Sequence, residues 1–180
     1  MKTPEIGTLT ALEPKLYVKH HTKDLKLADP RATRALVALM NQHAVIGGAA
    51  AHWGGPAAFA EIMSALFAIF SQTKHHWRKS FNFVNDAGHT ENGLYALQAN
   101  YGMNGLTFEC LKGFRSIESK LTGHGENHLY PEGVLLSNGP LGSSVAQAQG
   151  LCLSDRLSQN DRVTILTVSA GACMEGEAKE

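Results

Sequence analysis

His52, His89 and His124 each lie in or beside a glycine-containing turn, next to the expected boundary of a structural element. Imidazole that is neutral near pH 7 accepts and donates protons and orients oxyanions. Three such side chains on separate loops, if they converge on one cleft, form a proton-handling site. Taken singly, each reads better as a surface-loop histidine, and no two of them have the spacing of metal ligands. Two turns offer a second kind of chemistry. Ser137 to Gly142 (Ser-Asn-Gly-Pro-Leu-Gly) presents backbone N–H groups ahead of an expected helix, which suits an anion or the edge of a heterocycle. Val168 to Ala172 (Val-Ser-Ala-Gly-Ala) stands where an apolar strand ends and a helix begins. Open α/β sheets bind ligands outside the carboxyl ends of their strands, and Gly171 allows a phosphate close to the backbone. Alone, the first turn reads better as an ordinary glycine-rich reversal, and the second reads equally well as a helix–strand packing point. Glu175 falls in the first turn of that last helix, where the dipole favours acidic side chains, so capping is its default role.

These residues need elements to hold them. Asp29 and Pro30 start a helix, Asp as cap and Pro in the first helical position, and Leu36, Val37, Leu39 and Met40 follow at helical spacing. Residues 47–56 form a small-residue loop. Pro56 starts a second helix whose apolar face is Phe59, Ile62, Met63, Leu66, Phe67 and Phe70. Residues 81–84 predict a short strand, residues 85–89 a turn, and a third helix runs to about Tyr101. Thr107 caps a short helix through Leu111 and Phe114. Residues 119–139 form a long loop, a length associated with function in compact domains. A helix covers residues 142–157, and Val163–Val168 is a continuous apolar run expected as a buried parallel strand. Helices alternating with parallel-type strands indicate an α/β fold, a parallel sheet with flanking helices. Residues 1–28 read as an N-terminal arm, extended or irregular, and 29–180 as the domain.

Composition narrows the partners. Sixteen basic residues balance sixteen acidic ones in 180 residues, so no basic stripe for nucleic acid exists. Cys110, Cys152 and Cys173 are odd in number and sit among apolar residues, which predicts buried reduced thiols and a cytoplasmic location. Met1 to Glu5 has no apolar signal region. The most apolar stretch, residues 57–70, is broken by Glu61 and Ser64, so no membrane span is expected.

Taken together, these features resemble the N-terminal, cofactor-diphosphate-binding half of transketolase. The segment from His52 to Pro56 is similar to the family's first histidine loop. Ala87-Gly-His89 with Leu94-Tyr95 resembles its Asn-Gly-His segment and the helix after it. Phe114-Arg115, Gly123-His124, Gly133-Val134 and Gly139-Pro-Leu-Gly142 follow in the family's order, and Ser169 to Gly176 resembles the segment that opens the thiamine diphosphate motif. The resemblance covers residues from about 29 onward and implies an incomplete thiamine diphosphate-binding domain. It implies thiamine diphosphate and Mg²⁺ as cofactors, sugar phosphates as substrates, and transfer of a two-carbon ketol unit. By the same resemblance, His52, His89 and His124 are catalytic, lining the channel to the thiazolium carbon. Gly139, Pro140, Leu141 and Gly142 lie against the cofactor, Gly171 and Ala172 lie under its diphosphate, and Glu175 joins a carboxylate network at the interface of a homodimer.

Departures from the family pattern carry their own expectations. Ala170 stands where the family has a magnesium-binding aspartate, and a methyl group coordinates nothing, so metal and cofactor binding should be weak or absent. Trp53 and Gly125 replace the family's usual prolines. The distal asparagine of the motif and the pyrimidine-binding domain are expected beyond Glu180, which predicts a chain inactive alone and completed by a C-terminal chain or a longer product. The alternative is a degenerate, non-catalytic module acting through protein–protein association at an open sheet edge.

Overall fold

In the computed structural model the described residues are 15–20, 23–73 and 76–179. Two parallel strands set the frame. β3 (Phe81–Asn85) pairs with β4 (Val163–Thr167), Phe81 opposite Val163 and Asn85 opposite Thr167. Backbone bonds lengthen the ladder at both ends, Val163 N–H to the Ser80 carbonyl and Asp86 N–H to the Thr167 carbonyl. Both strands therefore end at one edge, and the turns after Asn85 and Thr167 emerge there.

The remaining elements follow from local signals. β1 (Lys15–His20) and β2 (Lys23–Ala28) form an antiparallel hairpin. The N-terminal arm is thus partly regular, and its end is tied down: Tyr101 Oη accepts from Ala28 N at 2.7 Å and donates to the Lys26 carbonyl at 2.9 Å. α1 (Pro30–Ile46) starts on Asp29, whose carboxylate accepts from Arg31 N at 3.0 Å. α2 (Gly54–Ser71) begins two residues before Pro56. α3 (Glu91–Tyr101) ends on Gly102 in the left-handed region at φ 63°, as a glycine C-cap requires. α4 (Phe108–Leu111) is capped by Thr107 and stops short of Phe114, and α5 (Ser143–Leu157) leads into β4.

α3 is the centre of the molecule. Every residue from Glu91 to Asn100 is buried, as expected of a helix covered on all sides. Its Leu94 and Leu97 join Met63, Phe67, Phe70, Trp77 and Phe83 in one apolar cluster, while Tyr95, Ala96 and Ala99 join Val37, Met40, Phe114 and Tyr130 in another.

Four expectations need correction. α2 spans 18 residues and is long and apolar enough to cross a membrane by length and composition; Glu61 and Ser64 do not interrupt it. Its Met63, Phe67 and Phe70 are nonetheless packed in the core. Cys110, Cys152 and Cys173 are exposed rather than buried, because each falls on the outer side of its segment. β4 is parallel but not buried: among the described residues one strand pairs with one of its edges, and Val163 remains 55% exposed. Finally, the segment after β4 makes a single 3-10 turn, Ala172–Met174, instead of a helix, and Glu175 leaves it in extended backbone at ψ 151°.

Candidate active site

The histidines meet. The His52 ring centroid is 5.3 Å from that of His89 and 6.5 Å from that of His124. Each is brought there by a different device. His52 rides on the loop between α1 and α2, and its carbonyl accepts from Asn41 Nδ2 and Asn92 Nδ2, both at 2.8 Å. His89 stands in the 3-10 turn Gly88–Thr90 that follows β3. The first turn of α2 abuts it only because residue 55 is glycine: a Cβ there would lie 2.7 Å from Thr90 Cγ2 and 3.0 Å from His89 Cδ2. His124 comes from the long loop, and a Cβ on Gly88 would lie 2.4 Å from its Cδ2. Arg115, in the left-handed region at φ 63°, braces that loop by donating its N–H to the Leu121 carbonyl at 2.8 Å.

Burial lowers the pKa of His89, and the neighbouring His52 lowers it further against the opposing pull of Asp86. Burial also lowers that of His124, helped by His52, Arg115 and His89 and opposed by Glu126. Both imidazoles are therefore neutral at pH 7, each with one nitrogen to donate and one to accept.

The turn at residues 139–142 reaches the same region through Asn138. That side chain donates to the Asn85 carbonyl at 3.1 Å and to Glu91 Oε1 at 2.7 Å, and it accepts from Gly125 N at 2.7 Å. Gly139 and Gly142 have φ of 144° and 88°, where only glycine sits without strain. The N–H groups at the start of α5 are not free for an outside anion, however. Gly142 N donates to both carboxylate oxygens of Asp86, at 2.9 and 3.1 Å, and Ser144 N donates to Oδ1 at 3.2 Å. Asp86 is 0% exposed. Its carboxyl group is the internal acceptor for the first N–H groups of α5. The available signal was that α5 opens on Gly142, which has no side chain to cap with. Asn41, Asn92 and Asn138 were likewise missed, since an amide between loops has no spacing rule.

The second turn packs against the first. A Cβ on Gly142 would lie 2.7 Å from Glu175 Cβ, and Leu141 Cδ1 is 3.9 Å from the same construction on Gly171. Gly171 itself has ordinary helical backbone at φ −62°, and a Cβ there would make only ordinary van der Waals contact, with Ser169 Oγ at 3.8 Å and Leu141 Cδ1 at 3.9 Å. Ala172 is buried, and Ala170 and Pro140 are exposed. Between the turns runs an open groove lined by Pro140, Leu141, Glu175, Gly176 and Glu177. Among the described residues no group of three His, Cys, Asp or Glu side chains is placed to hold a metal ion.

An α/β domain with a histidine cluster and two glycine turns at the carboxyl ends of parallel strands has the layout of a cofactor-diphosphate-binding domain. The chain belongs to the transketolase family: residues 30–178 match its thiamine diphosphate binding domain. It is 27% identical over 168 residues to a transketolase of Cereibacter sphaeroides, covering 88% of this chain and 25% of that protein. It is 32% identical over 155 residues to one of Dictyostelium discoideum, covering 78% and 23%. A transketolase variant of Pichia stipitis, solved in complex with xylulose-5-phosphate, superposes with a TM-score of 0.65 at 26% identity, over 83% of this chain and 24% of that one. The chain thus spans about a quarter of the length of the curated relatives it matches. The family read from the ordered motifs is borne out, and the fold class with it.

Proposed function

We propose that this chain supplies the diphosphate-side wall of a transketolase-type active site, which moves a two-carbon ketol unit between sugar phosphates. His52, His89 and His124 handle protons and hold substrate hydroxyls and phosphate. The observation that carries this reading is the meeting of the three imidazoles from separate loops, with burial keeping His89 and His124 neutral. Gly139, Pro140, Leu141, Gly142, Gly171 and Ala172 form the cofactor side, supported by the packing of the two turns on each other. Bound thiamine diphosphate supplies the carbanion-stabilising chemistry, and the protein supplies position and electrostatics. The phosphorylated sugar in the complex of the Pichia stipitis relative supports the substrate class.

Magnesium does not fit the residues present. The Ala170 side chain offers no oxygen, and the groove between the two turns is lined by Glu175 and Glu177 with no Lys or Arg among its lining residues. The chain alone is therefore a weak or non-binder of the cofactor. The family's activity draws on more than the quarter of its length matched here, and Glu175 and the outer edge of β4 are the surfaces this reading assigns to a subunit interface. The exposed, unbridged thiols of Cys110, Cys152 and Cys173 suit a reducing, cytoplasmic compartment.

Calorimetric titration of thiamine diphosphate with Mg²⁺ tests the reading. The unaltered chain should give little or no heat of binding, and Ala170→Asp, alone or with the rest of the family's domain supplied in trans, should restore saturable binding. Tight binding by the unaltered chain would overturn the account of the metal position, and no binding in any arm would overturn the cofactor assignment.

A further inference from the structure

Glu91 opens α3 two residues after His89 and is 2% exposed, deeper than any of the three histidines. The helix dipole accounts for an acidic residue in a first turn, but not for one withdrawn from water. Its Oε1 accepts from Asn85 Nδ2 at 2.9 Å and from Asn138 Nδ2 at 2.7 Å. Asn138 passes the contact on, accepting from Gly125 N with its own Oδ1 at 2.7 Å. The backbone beside His124 rests directly on the carboxyl group: a Cβ on Gly125 would lie 3.0 Å from Glu91 Cδ. Both neighbours of Glu91 are donors, and an ionised carboxylate is an acceptor only, so the chemistry of the three groups is matched.

Among the described residues, burial and two amides, not a cation, set the ionisation of this carboxyl. Burial raises its pKa to about 7, and the Asn85 and Asn138 amides hold it from going higher. Tyr95, one turn along α3, is the titratable group that feels its charge. His89 responds to His52 and Asp86, and His124 to His52, Arg115, His89 and Glu126.

We propose that Glu91 is a positioning residue of the cleft: acting through Asn138, it fixes the Gly125 backbone and so holds the His124 imidazole opposite His52. Its functional weight rests on the reading of that cleft as the proton-handling site, while the structural claim stands without it.

Amide exchange read by NMR on the purified chain tests the claim. Glu91→Ala and Asn138→Ala should each speed exchange at Gly125 roughly tenfold, the worth of one hydrogen bond. The double variant should add nothing further, and the β3 amides of Asn82 to Asn85 should keep their protection. Glu91→Gln, which keeps an acceptor oxygen, should leave Gly125 protected. In the unaltered chain the Asn138 side-chain amide signals should titrate near pH 7, and in Glu91→Gln they should not. Unchanged Gly125 exchange in Glu91→Ala, or additive effects in the double variant, would overturn the proposal. If the alanine variants lose protection in β3 as well, the glutamine variant decides, and an Asn138 signal flat with pH in the unaltered chain overturns it. Failure of the cofactor titration would defeat the functional reading and leave these results standing.

Discussion

Individual side chains at this site have pKa values displaced in opposite directions. Glu91 has a folded pKa near 7, above the ordinary 4.5. The folded state therefore holds a proton that the unfolded chain has lost, and the stability Glu91 contributes is full below about 4.5 and is lost as pH rises through about 7. His89 and His124 are depressed below 6.5. What they contribute is present above 6.5 and is lost as pH falls through their folded values. Replacing Glu91 by Gln removes only the first effect. At about 1.4 kcal/mol for each pH unit of displacement, the variant should gain on the order of 3 kcal/mol relative to the unaltered chain between pH 4.5 and 8, measured by denaturant unfolding. A gain independent of pH would contradict the assignment. The three histidines were legible in the sequence because each lies in or beside a glycine-containing turn at an element boundary. Glu91 was not, because a glutamate opening a helix has the same sequence signature whether it faces water or a buried amide.

At the scale of elements, the helices and strands were largely readable from caps and periodicity. Asp29 before Pro30, Thr107 before Phe108 and Gly102 after Tyr101 mark ends that the structure keeps. The start of α5 was placed correctly for an incomplete reason, since its N–H groups are satisfied by Asp86 at the end of β3 and not by an external anion. Asp86→Ala removes that acceptor and leaves buried N–H groups unpaired, which costs about 1–3 kcal/mol. Thermal unfolding should show the loss, and amide exchange should rise first at Gly142 and Ser144. The missing last helix has a physical cause too: after the Ala172–Met174 turn, Glu175 to Glu177 offer two carboxylates, a glycine and little apolar surface to bury.

For the molecule as a whole, the sheet is asymmetric. β3 is mostly buried, whereas β4 is only half-buried with Val163 exposed, and among the described residues its outer edge is unpaired. Continuous apolarity in Val163–Val168 was read as complete burial, but apolar runs report what a strand is suited to bury, not what this chain brings to cover it. An open edge of this kind promotes association. Sedimentation velocity should show concentration-dependent self-association of the chain, and Val163→Lys should reduce it without lowering the unfolding midpoint by more than a degree or two. Equal association in both proteins would remove the edge as the cause.

The Asp86 contact with α5 has a kinetic consequence. It joins residues 56 positions apart, and the chain between them contains α3, α4 and the whole His124 loop. One carboxylate thus closes a large ring without a covalent bond. Closing such a ring sets a loop-entropy barrier that local contacts cannot lower, so α5 should acquire a fixed start only when β3 has already been assembled. In this chain the histidine loop and the last helix should become native together and late, with the helix start as the latch rather than the seed.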